Sequence, residues 1–175
     1  MIPILWKKKL LSEKLLYVLI DKGVLEDCGL DILSVTEKTA SSECDLIQLR
    51  AKDINDKDFM HLASKLRKIT KKKGKLLIIN DRADIAYLSK SDGLHLGNND
   101  IPLDKARKLM GKRALIGATI HSLRDFKTLS GKDYDYLSAG PFFETGTKPG
   151  LDPINRGDLK KIIATCRKLL FAVGG

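Results

Sequence analysis

Seven short apolar runs recur along the chain, at 15–20, 46–49, 76–79, 93–96, 115–120, 136–140 and 169–173, each four to six residues long. Runs of that length are too short for independent helices, and amphipathic stretches with helical spacing separate most of them. The clearest covers 58–72, where Phe59, Leu62, Ala63, Leu66 and Ile69 share a face. Residues 102–110 give a second, with Pro102 near its first turn and Gly111 just past its end. A third lies within 152–169, with Leu159, Ile162, Ile163 and Cys166 on one face. Strand and helix alternating in this order predict right-handed βαβ units and a parallel sheet. Seven strands exceed a five-stranded flavodoxin-like sheet and fall one short of a closed eight-stranded barrel. With no linker, low-complexity tract or composition break, residues 1–175 read as a single α/β domain.

Aromatic residues make up only 6% of the chain, and Leu, Ile and Val carry most of its apolar content. That bias suits strands buried under helices better than a sandwich of aromatic cross-strand pairs. No window approaches the roughly 20 apolar residues that cross a bilayer. The apolar opening precedes Lys7, Lys8 and Lys9, the reverse of a secretory signal, so a cytoplasmic protein with no membrane partner is expected. Cys28, Cys44 and Cys166 are odd in number and lack Cys-x-x-Cys spacing, which argues against a disulfide framework or zinc site. The formal net charge is +10, but lysines such as those at 71–73 and 160–161 have no interleaved aromatics for base stacking. Nucleic acid is therefore not the expected partner; a basic envelope drawing in phosphorylated small molecules accounts for the same charge. Whether copies of the chain form a homo-oligomer stays open.

Polar and glycine residues gather directly after each run: Asp21; Gln48, Arg50 and Lys52; Asn80 and Asp81; Gly97 and Asp100; Thr119 and His121; Thr145 to Lys148; Gly174 and Gly175. In a parallel barrel all these positions share one rim, where active sites of that architecture are built. Gln48, Arg50 and Lys52 alternate with Leu49 and Ala51 and so share a strand face. A guanidinium fork beside an ammonium suits phosphate oxygens, although ordinary charges on an exposed strand end give the same pattern. Asp81 and Asp100 end consecutive strands, and two carboxylates at that distance repel unless a cation or proton lies between them. Mg²⁺, which takes one or two carboxylates plus substrate phosphate oxygens, is the natural occupant. The competing reading makes Asp100 the N-cap of the following helix. Residues 140–150 form a loop rich in glycine and hydroxyls with Lys148 near its end, the donor set an anion needs. His121 on the rim is placed to move a proton or simply to hydrogen-bond its neighbours.

Five blocks in this order resemble the thiamine phosphate synthase family. They are Leu-Ile-Gln-Leu-Arg-Ala-Lys at 46–52, Ile-Ile-Asn-Asp-Arg-Ala-Asp-Ile-Ala at 78–86 and Asp-Gly-Leu-His-Leu-Gly-Asn-Asn-Asp-Ile-Pro at 92–102. Ile-Gly-Ala-Thr-Ile-His-Ser follows at 116–122, then Asp-Tyr-Leu-Ser-Ala-Gly-Pro-Phe-Phe-Glu-Thr-Gly-Thr-Lys at 135–148. The resemblance implies a TIM-type (β/α) barrel that couples hydroxymethylpyrimidine diphosphate with thiazole phosphate, using Mg²⁺. It implies that Gln48, Arg50, Lys52, Asn80 and Lys148 hold the diphosphate, with Arg50 and Lys148 also serving catalysis. Asp81 and Asp100 would hold the metal. Thr145, Gly146, Thr147 and Gly175 would receive the thiazole phosphate. Thr119 stands where the family usually has serine, keeping the hydroxyl.

Two features depart from that pattern. The family's barrel has an eighth strand, whereas this sequence stops after its seventh, so a C-terminally truncated barrel with two unpaired edges is expected. The loop with Phe143-Glu144-Thr145 and Lys148-Pro149-Gly150-Leu151 is similar to the related thiazole tautomerase branch, in which His121 would be the catalytic proton carrier. The paired Asp81 and Asp100 favour the synthase, because a tautomerase handles no diphosphate leaving group. A non-catalytic barrel that binds a phosphorylated ligand is the third alternative.

Overall fold

The structure, a computed structural model, describes residues 14–143 and 152–174. Each apolar run forms a strand: β1 (Tyr17–Asp21), β2 (Leu46–Arg50), β3 (Leu76–Asn80), β4 (Gly93–Leu96), β5 (Leu115–Ile120), β6 (Tyr136–Ala139) and β7 (Leu169–Ala172). They make one seven-stranded sheet in chain order, and every neighbouring pair is parallel. The helices between them are α1 (Lys22–Asp27), α2 (Ile32–Ala40), α3 (Asp56–Lys72), α4 (Ala83–Leu88), α5 (Leu103–Met110), α6 (Leu123–Thr128) and α7 (Arg156–Thr165).

The sheet is curled. Tyr17 of β1 and Phe171 of β7 stand at opposite ends of the strand order, yet their ring centroids lie 4.9 Å apart. Only a sheet bent towards a barrel brings its two outer strands' side chains together across an interior. Period-two alternation divides the strand residues between two cores. Leu46, Leu76, Ile78, Leu115, Tyr136 and Phe171 fill the interior, while Leu49, Leu77, Ile79, Leu94, Ile116 and Leu137 face the helices.

Helix boundaries follow local chemistry. Asn55 caps α3 by accepting from the Asp58 N–H at 3.0 Å. Asp56 and Asp58 lie in the first turn of α3 and Lys71 and Lys72 in its last, matching the helix dipole. Phe59, Ala63 and Leu66 are the buried face expected of it. Helix α5 stops at Gly111, whose φ of 76° favours glycine. Helix α7 departs in one respect from its expected face: Ile162 is buried but Ile163 is 59% exposed. Among the described elements α7 packs on α6.

The end of the sheet opposite the rim carries a repeated lock. Asp45, Asp92 and Asp135 each precede an even-numbered strand. Each donates its own N–H to a carbonyl of the preceding odd-strand segment (Leu16, Leu77 and Ile116), at 2.8, 2.9 and 2.7 Å. Each carboxylate then accepts the N–H of that same residue, at 2.8, 2.9 and 2.8 Å. Arg67 from α3 grips Asp92 with both terminal nitrogens, at 2.6 and 2.8 Å, and Arg107 from α5 reaches Asp135 at 2.6 Å. Strands are thus fixed in pairs, which holds their opposite ends level at the rim.

Candidate functional site

Parallel strands place all their C-terminal ends on one side, so the polar residues that follow the apolar runs meet there. Arg50 ends β2 in register with Asp21, which ends β1. Its Nη1 donates to an Asp21 carboxylate oxygen. Two residues on, the Lys52 ammonium lies 2.6 Å from Asp81 Oδ2. A cleft of about 690 Å³ opens beside these cations, lined in part by Asp21, Lys22, Arg50, Lys52 and Asp53.

Asp81 adopts a left-handed conformation, φ 62°, uncommon for any residue but glycine. Its N–H donates to the His95 carbonyl at 2.8 Å, and its carboxyl neighbours that of Asp100 closely enough for each to shift the other's titration. Burial works to raise the Asp81 carboxyl, but Lys52 and the neighbouring Asp100 outweigh it and hold Asp81 below the usual range. Asp100 goes the other way: burial and the neighbouring Asp81 push it up. Two carboxylates thus converge beside a single ammonium, a crowding of like charge that a dication would relieve. Among the described residues no three His, Cys, Asp or Glu side chains cluster as a metal cage. A hard cation completing its shell with substrate oxygens, as Mg²⁺ does, fits such a pair. Asp100 does not cap α5, whose N-cap is Pro102; instead it accepts the Gly97 N–H at 2.6 Å.

Below the rim, uncharged polar groups cross the interior. Gln48 Nε2 donates to Tyr17 Oη at 2.7 Å, and Tyr17 Oη lies 2.9 Å from Tyr136 Oη. Tyr136 Oη is 3.1 Å from His95 Nδ1, and His95 Nε2 is 2.8 Å from Thr119 Oγ1. One direction of donation satisfies the chain: Gln48 to Tyr17, Tyr17 to Tyr136, Tyr136 to His95 and His95 to Thr119, with a neutral imidazole. Burial raises both phenols, so each stays an O–H donor. Gly117 makes room for the network, because a Cβ there would lie 2.1 Å from the Tyr136 ring.

Gln48 is thus turned inward, a layer beneath Arg50 and Lys52. Asn80 is half-buried at the end of β3, beside His95 in register. His121 stands on the rim, its Nδ1 donating to the Gly140 carbonyl and its N–H to Asp125 Oδ2 at 2.8 Å. Thr145, Gly146, Thr147, Lys148 and Gly175 lie outside the described residues. Tyr17, His95 and Tyr136 were not singled out from the sequence. The available signal was register: in β4 the inward positions are Gly93 and His95, and His95 aligns with Asn80.

The family model described as thiamine monophosphate synthase matches residues 16–175. The chain is 37% identical over 147 residues to a thiamine-phosphate synthase of Fusobacterium nucleatum, covering 84% of this chain and 71% of that one. It is 36% identical over 160 residues to one of Clostridium acetobutylicum, covering 91% and 75%. A solved structure of thiamine phosphate pyrophosphorylase from Pyrococcus furiosus superposes with a TM-score of 0.80 at 27% identity, over 92% of this chain and 75% of that one.

Proposed function

The chain belongs to the thiamine monophosphate synthase family, and from that premise we propose that its rim couples hydroxymethylpyrimidine diphosphate to thiazole phosphate, releasing diphosphate. The bond from the pyrimidine methylene carbon to the bridging oxygen breaks, and its electron pair leaves with the diphosphate. The thiazole nitrogen then gives its lone pair to the resulting cation, forming the new C–N bond. Such a substitution needs no nucleophile or general base from the protein. It needs charge placed where the leaving group departs.

Arg50 and Lys52 supply that charge, the first as a forked donor and the second as a point charge. Lys148 would join them from the loop, where Thr145, Gly146 and Thr147, with Gly175, would take the thiazole phosphate. Asn80 completes the diphosphate contacts at the end of β3. Asp81 and Asp100 would hold Mg²⁺, which when bound would neutralise charge on the departing oxygens. Gln48 is assigned differently from the other rim donors. Buried and tied to Tyr17, it forms with His95 and Thr119 an uncharged floor suited to the edge of a heteroaromatic ring. The diphosphate would then lie above, among the cations.

The observation that carries this reading is the convergence of Arg50, Lys52, Asp81 and Asp100 on one rim, with Lys52 at 2.6 Å from Asp81 and Asp81 neighbouring Asp100. The test is formation of thiamine phosphate from the two substrates with Mg²⁺, run on this chain and on one extended by a relative's C-terminal strand. Asp81→Ala or Asp100→Ala is expected to lower turnover by at least about a hundredfold, since a carboxylate and the metal it would hold go together, while His121→Ala leaves most of it. The opposite ranking would mark proton transfer at His121, and ligand binding without turnover by either chain would mark a binding protein.

A further inference from the structure

We propose that Asp21 is a positioning residue for Arg50, fixing the guanidinium that receives the diphosphate. The inference rests on the reading of Arg50 just given and adds a residue to it. Asp21 ends β1 directly across the ladder from Arg50. Both its carboxylate oxygens are engaged. Oδ1 accepts the N–H groups of Gly23 and Val24, at 3.0 and 3.4 Å, as the N-cap of α1. Oδ2 accepts from Arg50 Nη1. The pair is largely shielded, with side chains 12% and 17% exposed. Among the described residues Asp21 is the one hydrogen-bond partner of the Arg50 guanidinium, so Nε and Nη2 keep their donors for a ligand. Asp21, itself clamped by the first turn of α1, is what stops a long flexible side chain from wandering in the open cleft.

Two opposing effects make the proposal testable by sign. On charge alone, a carboxylate beside an anion site weakens anion binding, so removing it should help. If its work is to hold Arg50 in place, removing it should hurt, because the guanidinium must be ordered anew on binding. Asn caps a helix about as well as Asp, so Asp21→Asn keeps α1 while giving up the ionic hold on Arg50.

The measurement is calorimetric binding of inorganic diphosphate, with Mg²⁺ present, to the full chain and to Asp21→Asn, Asp21→Ala, Arg50→Ala and the Asp21→Asn/Arg50→Ala double variant, each with its melting temperature. Asp21→Asn is expected to bind diphosphate about five- to tenfold more weakly with an unchanged melting temperature, in line with the cost of re-ordering one long side chain. Arg50→Ala should lose more, and the double variant should bind like Arg50→Ala alone. Affinity in Asp21→Asn that is unchanged or tighter would overturn the proposal, as would a loss that persists in full without Arg50. Should Asp21→Ala melt early while Asp21→Asn binds normally, Asp21 is a helix cap and nothing more. If Arg50→Ala binds diphosphate as well as the parent, it is the assignment of Arg50 that fails.

Discussion

At the scale of single residues, the site is held in tension. Asp100 carries a carboxyl pushed above its usual range by burial and by Asp81. A carboxyl raised in the fold favours folding fully below its unfolded value and loses that contribution as pH climbs through the folded value. At neutral pH the Asp100 charge therefore works against the fold. Asp100→Asn is expected to raise the melting temperature at pH 7.5 by about 1–3 °C, small because the pair is partly exposed and solvent-screened, and to do less at pH 4. Mg²⁺ should raise the melting temperature of the parent and leave that of Asp100→Asn nearly unmoved, as differential scanning calorimetry would show. A loss of stability at pH 7.5 would refute the account. The Asp81 and Asp100 pair was legible in the sequence because each carboxylate lies within four residues of the end of an apolar run. The network of Tyr17, Tyr136 and His95 was not, because its members meet only across the curled interior, where β1, β4 and β6 approach one another. Asp21 was visible as a rim residue, but its hold on Arg50 depends on register between two strands.

At the scale of elements, strands were readable and short helices were not. All seven runs became strands within a residue or two of their expected ends, since a strand buried on both faces is written as continuous apolar sequence. Helices α1 and α6 have six residues each and no buried side chain, so they leave no periodic trace. The strand-pairing lock was equally silent: Asp45, Asp92 and Asp135 read as turn residues until their carboxylates are seen to accept from the neighbouring strand. The Arg67–Asp92 contact carries the element-scale prediction. Burial lifts the Asp92 carboxyl even against the Leu77 N–H and Arg67, which pull it down. Without Arg67 a buried charge is left without its cation, so Arg67→Ala should destabilise by about 3–5 kcal/mol at pH 7.5. The deficit should shrink towards pH 5 as Asp92 takes a proton in the fold, a trend urea midpoints at the two pH values would reveal. A deficit that grows on acidification would show that the ion pair is not what Arg67 contributes.

At the scale of the whole molecule, the curl brings the sheet's two outer strands near each other without pairing them. Among the described residues the backbone of β1 pairs only with β2, and that of β7 only with β6. Leu16 and Leu19 are exposed at one edge and Val173 at the other, at 54%, 47% and 42%, with Phe143 exposed at the end of the segment after β6. An unpaired edge bearing apolar side chains is a template for another strand. No strong opposing charge lies within β1, whose residues are Tyr-Val-Leu-Ile-Asp with the acid already bound to Arg50. The net charge of +10 opposes association only weakly at physiological salt, where charges beyond about 8 Å are screened. The 175-residue chain is therefore expected to self-associate as its concentration rises, more at 0.5 M than at 0.05 M salt, as multi-angle light scattering would record. Leu19→Lys sets a charge on the edge and should move the population towards monomer without lowering the melting temperature. A chain extended by a relative's last strand should behave similarly, because that strand would pair with both edges at once. If the 175-residue chain stays monomeric at high salt and millimolar concentration, the edges are protected by something other than charge, and the open-edge account of its solubility fails.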